Sequence, residues 1–188
     1  MIDELREYEF TLECWDKYWE LFTGLCLPIR SNDFGILRGM WLEQTGDKVR
    51  FLHMWRYSSL EARSRLRGEL LKIDAWRNEF LPEAASQIGK QFLQVLNPRL
   101  GGNDLLNSAA ACFMHLYPCP AGKANAVIQQ IEDGMGEADP RLLSVWATEF
   151  ADPNQVVVLS SAEHAPHIAV EILAGIRTRK LRSLSVPG

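Results

Sequence analysis

The spacing of apolar and polar positions predicts strands and helices in regular succession through the first half of the chain. Residues 2–10 are strand-like, and residues 12–29 then change to apolar spacings of three and four, which indicate a helix. Residues 35–43 and 49–57 are strand-like on either side of the turn Thr45-Gly46-Asp47-Lys48, so this pair predicts a hairpin.

A second helix and a closing strand complete this half. Ser58-Ser59-Leu60-Glu61 forms a capping-box pattern, in which a hydroxyl caps the first N–H groups and a glutamate reaches back. The helix is predicted to continue through Phe80, and residues 92–96 form a strand that ends at Asn97-Pro98. The order β-α-β-β-α-β is that of a ferredoxin-like unit.

The same order recurs in the second half, after a glycine-containing linker at residues 100–104. The capping-box pattern also recurs, at Ser160-Ser161-Ala162-Glu163. Strands are predicted at residues 109–117, 142–150, 155–159 and 177–186, and helices at residues 124–135 and 165–172. We therefore predict an α+β fold of two tandem ferredoxin-like repeats, over residues 1–99 and 105–188.

A ferredoxin-like sheet carries its helices on one face, so its other face needs a cover. Two such sheets that face each other close into an α+β barrel, either within one chain or between two chains. Alternation in the third strand favours Leu52 and Met54 on the helix side, which leaves His53, Trp55 and Tyr57 for the barrel side. We also expect a homodimer, because exposed helix aromatics and edge strands favour a partner.

Composition excludes several classes of protein. The chain has 188 residues, a net charge of −4 and 47% apolar residues, whereas disordered chains combine low hydrophobicity with high net charge. An isoelectric point near 5.6 offers no basic surface for nucleic acid. No apolar run approaches the roughly 18 residues of a membrane span, and the acidic N-terminus does not resemble a secretory signal. We expect a cytoplasmic protein that binds neither nucleic acid nor membranes.

Two residues are the candidate catalytic groups. Arg6 can hold a carboxylate or an enolate oxygen with its guanidinium fork, although an ion pair with Glu4 or Glu43 would explain it equally well. Histidine ordinarily titrates near neutral pH, so His53 could act as a general acid or base. Its structural alternative is a hydrogen-bonded histidine within the sheet.

Further side chains could shape a ligand site, and each could instead be ordinary strand packing. These candidate ligand contacts are Glu4, Tyr8, Trp41, Trp55, Tyr57 and His115. The four cysteines match no zinc-binding spacing, so we expect reduced thiols and no metal. We expect no cofactor. Haem is the alternative, because some α+β barrels bind haem through one axial histidine, for which His115, His164 and His167 are the candidates.

Four segments, in the right order, resemble the NIPSNAP family. The opening resembles the family's I-Y-E-L-R-x-Y, with Asp3 where the family has an aromatic residue. The other segments resemble the end of the first helix, the family's H-x-W-x-Y-x-S-x-x-x-R stretch and the end of the second helix. In this chain the four are Ile2-Asp3-Glu4-Leu5-Arg6-Glu7-Tyr8, Leu27-Pro28-Ile29-Arg30, His53-Met54-Trp55-Arg56-Tyr57-Ser58-Ser59-Leu60-Glu61-Ala62-Arg63 and Asp74-Ala75-Trp76-Arg77-Asn78-Glu79-Phe80.

The resemblance implies the dimeric α+β barrel class, and bacterial members of the family can accompany small-molecule pathways. Two functions therefore stay open. One is a cofactor-free enzyme of isomerase, cyclase or oxygenase type that acts on a small aromatic or carbonyl metabolite. The alternative is a binding or assembly module without chemistry of its own. The deciding feature is whether the region of Arg6 and His53 is an open cavity or is filled by side chains.

Overall fold

The computed structural model describes residues 1–100, 106, 111–135, 141–169 and 175–185. Its strands are β1 (Ile2–Thr11), β2 (Ile36–Thr45), β3 (Lys48–Tyr57), β4 (Lys90–Leu100), β5 (Ala111–Pro118), β6 (Leu142–Phe150), β7 (Gln155–Ser160) and β8 (Arg177–Ser183). Its helices are α1 (Leu12–Leu21), α2 (Leu27–Arg30), α3 (Leu60–Leu70), α4 (Leu81–Gln87) and α5 (Ala124–Met135). A first π-turn (Phe22–Cys26) joins α1 to α2, and a second (Trp76–Phe80) precedes α4.

The eight strands of the described chain close into one antiparallel barrel, in the order β1-β3-β2-β8-β5-β7-β6-β4. Each half contributes four neighbouring strands, as predicted for two ferredoxin-like units. The halves join where β2 pairs with β8 and where β4 pairs with β6. A single chain therefore closes the barrel by itself. The homodimer stays a prediction.

Side chains fill the interior of this barrel. Leu52 and Met54 lie there with residues of both halves, among them Trp41 and Trp146, and all four are fully buried. The faces predicted for β3 are therefore wrong, because His53, Trp55 and Tyr57 lie on the helix side. Apolarity cannot distinguish the faces of β3, because its interior strand positions are buried on both sides.

Asp3 and Arg56 add an ion pair to the barrel interior. Arg56 donates two hydrogen bonds of 2.7 Å to the Asp3 carboxylate, and Trp146 Nε1 donates to the same carboxylate at 2.8 Å. The aspartate that departs from the family's aromatic opening thus links the two halves of the barrel. These polar contacts satisfy a carboxylate that is completely buried.

Both π-turns stand directly before a proline. Leu27 N–H donates to the Phe22 carbonyl, five residues back, and Pro28 follows. Leu81 N–H donates in the same way to the Trp76 carbonyl, and Pro82 follows. A proline cannot donate the next helical hydrogen bond, and the wider turn lets each helix continue past it. Helical structure therefore continues past Pro28 to Arg30, one residue beyond the predicted end.

Two predicted helices are corrected. The helix expected to run from Ser59 through Phe80 is interrupted at residues 71–73, and helical structure then continues to Gln87. Residues 161–169, which include most of the helix predicted at 165–172, are not helical, and residues 170–172 lie outside the described part. The Ser160 hydroxyl donates to the Ala162 carbonyl at 2.8 Å, so it supports a local turn instead of a helix cap.

The predicted linker at residues 100–104 begins at Leu100, which is the last residue of β4, and residues 101–104 lie outside the described residues. None of the helices in the described parts of the chain is long and apolar enough to span a bilayer.

Candidate functional site

A cavity of about 440 Å³ lies between the first half of the sheet and its helices, not inside the barrel. Strands β1, β3 and β4 form its floor, and α1 to α4 with both π-turns form its roof and walls. All of its lining residues lie between positions 6 and 91. Ligand sites in proteins commonly have volumes of roughly 300–1,000 Å³, so this cavity can hold a small molecule.

The floor of the cavity is polar. Arg6 and His53 are cross-strand partners in the pairing of β1 with β3, so their side chains are neighbours on one face. Tyr8 lies two residues along β1 on the same face and is paired with Gln91 of β4. Four polar side chains from three strands therefore meet beneath the helices.

The roof of the cavity is apolar and aromatic. The first π-turn contributes Phe22, and the second contributes Trp76 and Phe80, whose rings are 4.4 Å apart between centroids. Leu70 and Ala84 of the flanking helices complete this surface. Both π-turns lie in this roof, and because π-turns occur frequently at functional sites, their position supports a ligand-binding role.

Arg6 is held by two neighbours on its own strand. Its Nε donates to Glu4 Oε1 at 2.5 Å, and its Nη1 donates to the Tyr8 hydroxyl at 2.9 Å. Burial disfavours the charged guanidinium, but interactions with Tyr8 and Glu4 outweigh this effect and raise the pKa of Arg6. Nη2 has no partner among the described residues, so this nitrogen can donate to a ligand.

His53 is a neutral hydrogen-bond donor. Trp55 Nε1 donates to His53 Nδ1 at 2.7 Å, which places the imidazole proton on Nε2. Burial, together with the positive charges of Arg6 and Arg30, holds the pKa of His53 well below its usual value. Nε2 is buried and has no hydrogen-bond partner within the described chain. This N–H is therefore a buried donor that a ligand in the cavity can satisfy.

Both lone pairs of the Tyr8 hydroxyl oxygen already accept hydrogen bonds. It accepts hydrogen bonds from Arg6 Nη1 at 2.9 Å and from Gln91 Nε2 at 3.1 Å, which occupy both of its lone pairs. Burial raises the pKa of Tyr8, so its proton remains at neutral pH. The hydroxyl proton is then a further donor on the cavity floor.

Arg30 brings a second buried guanidinium to the cavity. Its Cζ lies 3.4 Å from the centroid of the Trp55 ring, a cation–π contact. Its Nη2 donates to the Tyr57 hydroxyl at 2.8 Å and to the Phe34 carbonyl at 2.7 Å. Gly35 permits this packing, because its φ is +108° and a Cβ there would lie 2.8 Å from the Tyr57 ring. Arg30 is thus locked in place by neutral groups.

The charges around the cavity are unbalanced. Arg6, Arg30, Arg67 and Lys90 line it, whereas no Asp or Glu does so among the described residues. Glu4 lies beside Arg6 on the same face of β1 and serves Arg6, Arg63 and, at 4.0 Å, Arg67. The lining of this cavity is therefore positive, although the chain as a whole has a net charge of −4.

The predicted site residues lie in four places. Arg6, Tyr8, His53 and Tyr57 line the cavity, and Glu4 and Trp55, on the same face of the sheet, form hydrogen bonds with Arg6 and His53. Trp41 lies inside the barrel.

His115 lies on β5, in the second half, away from the cavity. Its Nδ1 contacts the Thr178 hydroxyl and its Nε2 contacts the Ser160 hydroxyl, both at 2.9 Å. With both ring nitrogens engaged, His115 does not fit an axial haem ligand. Within the described residues, no cluster of three or more His, Cys, Asp or Glu side chains could hold a metal ion.

Several lining residues escaped the sequence prediction. Tyr18 and Cys26 belong to the apolar stripe of the first helix and resemble ordinary core positions. Burial raises the pKa of the Cys26 thiol to about 12, so it is not a thiolate nucleophile at neutral pH. Arg30 carried a detectable signal, because it is a charged residue at the end of an apolar helix and is part of the Leu-Pro-Ile-Arg segment.

Comparison with solved structures supports the fold. A Lactobacillus acidophilus protein described as a candidate monooxygenase aligns over 97% of this chain and 93% of its own, with 10% identity and a TM-score of 0.62. An anthrone oxidase-like protein aligns over 98% and 91%, with 11% identity and a TM-score of 0.59. At such identities these similarities show the fold alone, which is that of the dimeric α+β barrel class.

Similarity in sequence is strongest in the half that contains the cavity. No protein of curated function is significantly similar to the chain. A NIPSNAP family protein of Agrobacterium tumefaciens is 28% identical over 52% of this chain and 92% of its own, with a TM-score of 0.47. The NIPSNAP family model matches residues 3–99, just over half of the chain. The protein that carries this cationic cavity beneath its helices therefore belongs to the NIPSNAP family.

Proposed function

We infer that this protein binds a small, largely apolar molecule in the cavity between the first half-sheet and its helices. The observation that carries this proposal is the buried Nε2–H of His53, a donor without a partner in the described chain at the floor of an apolar cavity. A buried donor without a partner costs about 1–3 kcal/mol. A ligand oxygen that accepts from it would recover this free energy.

The chemistry of the lining favours binding over acid–base catalysis. His53 has a lowered pKa and its Nδ1 is occupied by Trp55, so it is poorly placed to remove a proton. Tyr8 and Cys26 have raised pKa values and stay protonated. With no carboxylate among the described lining residues, the cavity offers no evident general base at neutral pH.

A cofactor-free enzyme of isomerase, cyclase or oxygenase type is the second candidate. The observation that favours it is the grouping of N–H and O–H donors from Arg6, Tyr8 and His53, which would stabilise an enolate or another oxyanion. Such an enzyme would act by stabilising charge, with its substrate's proton lost to water or to a second reactant. A ligand that binds without being converted favours the binding function.

A thermal-shift screen of neutral and anionic aromatic and aliphatic compounds tests the proposal. A ligand present at about 100 times its Kd stabilises the native state by about 2.7 kcal/mol, which raises Tm by roughly 5–10 °C for a chain of this size. We expect at least one chemical class to give such a shift. A screen without a shift for any compound would refute the proposal.

Matched variants on α4 locate the binding site. Ala84→Phe places a ring inside the cavity from the roof, and we expect it to abolish the shift. Ser86→Phe adds the same ring on the same helix at an exposed position outside the cavity, and it should preserve the shift. If Ala84→Phe does not fold, Leu70→Trp fills the cavity from α3. A shift that survives both filling variants would place the ligand elsewhere.

A further inference from the structure

We propose that the ligand is a monocarboxylic acid with an apolar, preferably aromatic, body, bound with its carboxylate against Arg6 and His53. Arg30 supplies a second positive charge to the same end of the cavity. The inference rests on the proposed function and adds the charge, the orientation and the chemical class of the ligand.

The charge of the cavity is the first argument. Arg30 is buried, and none of its contacts in the described structure is to a carboxylate. The charge of Arg6 is shared with a glutamate that also serves Arg63 and Arg67. The carboxylate of Glu4 thus serves three guanidinium groups, and Arg30 adds a buried fourth without a carboxylate; such buried positive charge is unfavourable without an anion. A carboxylate on the ligand would compensate it.

The direction of the hydrogen bonds is the second argument. Arg6 Nη2, His53 Nε2–H and the Tyr8 hydroxyl proton are all donors, and none has an acceptor in the described chain. A carboxylate has two oxygens that only accept, and it offers up to four acceptor sites. An alcohol or an amide would bring its own N–H or O–H into a place that holds donors. The floor therefore matches an anion better than a neutral polar group.

The roof limits the ligand to a single charge. Phe22, Leu70, Trp76 and Phe80 cover the side of the cavity opposite the floor. A second carboxylate that is directed at these four side chains would lose its hydration without gaining a partner there, which is strongly unfavourable. Aromatic rings can instead pack against the indole and phenyl groups. A dicarboxylate should therefore bind poorly.

Titration calorimetry with three probes of the same body tests the inference on the full chain. The probes are 1-naphthaleneacetate, its neutral isostere 1-naphthaleneacetamide, and a naphthalene dicarboxylate. Because hydrogen bonds to charged groups contribute more than neutral ones, we expect the acetate to bind about 10- to 100-fold more tightly than the amide. The dicarboxylate should bind at least about 10-fold more weakly than the acetate.

Arginine variants assign the preference to the cavity. Arg6→Gln and Arg30→Gln should each weaken acetate binding about 10-fold or more and leave amide binding within about 3-fold. Arg67→Gln removes a half-exposed lining cation on α3 and should weaken acetate binding about 2-fold. Its matched control is Arg65→Gln, an exposed position two residues away that does not line the cavity. Because Arg67 is half exposed, this pair remains informative if the buried variants fail to fold.

The outcomes separate this inference from the proposed function. Equal binding of acetate and amide, or retained selectivity in Arg6→Gln and Arg30→Gln, would overturn the carboxylate inference while a small-molecule site remains. Binding of neither probe, in a protein that also gives no thermal shift with any compound, would refute the proposed function itself. Selective binding of the acetate that depends on Arg6 and Arg30 is the expected result.

Discussion

Acidification should destabilise this protein through His53, and the size of the effect follows from its burial. The side chain is 2% exposed, and Arg6 and Arg30 both oppose its protonation. The unfolded chain takes up a proton at this residue below the usual pKa of 6.5, whereas the folded state stays neutral. The stability that the neutral His53 contributes is therefore fully present above a pH equal to that pKa, and it is lost as the pH falls below it. For a histidine that stays neutral in the native state, the free energy of unfolding falls by about 2 kcal/mol between pH 7.5 and pH 5.0.

Urea denaturation at several pH values between about 7.5 and 5.0 measures this effect. In His53→Asn the amide oxygen can still accept from Trp55 Nε1, but the titrating group is gone. We expect the variant to lose about 2 kcal/mol less than the wild type over this range, whatever its stability at pH 7.5. Burial also lowers the pKa of His115, so both proteins keep a second contribution of the same sign, which cancels in the comparison. Identical pH dependence in the two proteins would refute the neutral, buried His53.

Three further outcomes are expected. Gly35→Ala should lower the free energy of unfolding by about 1–3 kcal/mol, because the φ of Gly35 is +108° and a Cβ there would lie 2.8 Å from the Tyr57 ring. Its control, Gly68→Ala within α3, should raise the free energy of unfolding by up to about 1 kcal/mol. Urea denaturation measures both, and equal stabilities of the two variants would contradict the packing around Arg30. Asp3→Ala should lower the free energy of unfolding by about 3–5 kcal/mol, because it removes the buried carboxylate to which Arg56 and Trp146 both donate. A loss below about 1 kcal/mol in the same measurement would show that the ion pair is solvated. The affinity for 1-naphthaleneacetate, measured by calorimetry, should stay constant between about pH 6 and 9, because His53 is neutral throughout this range. Binding that weakens as the pH rises through about 6.5 would indicate that the imidazole is charged below that pH.

The order of strands and helices could be predicted from the sequence because local signals determine it. Alternation marks the strands, and Thr45-Gly46-Asp47-Lys48 marks the turn between β2 and β3. The second capping-box pattern misled the prediction, because the Ser160 hydroxyl is engaged by His115 and by a local turn. Such tertiary contacts cannot be recognised from four residues of sequence.

The candidate site was only partly predictable. The alternation along β1 placed Arg6 and Tyr8 on one face, and both line the cavity. The side of the sheet was predicted wrongly, because Leu52 and His53 are both fully buried and apolarity does not separate the barrel interior from the helix layer. Arg30 meets Tyr57 across 27 positions of sequence, so only the folded chain reveals that contact.

A crystal structure of the complex with 1-naphthaleneacetate tests the central claim most directly. We predict that the carboxylate lies within about 3 Å of Arg6 Nη2 and His53 Nε2, with the naphthalene ring between the sheet and the two π-turns. A ligand inside the barrel, or one whose carboxylate points to solvent while its ring occupies the cavity, would contradict the account.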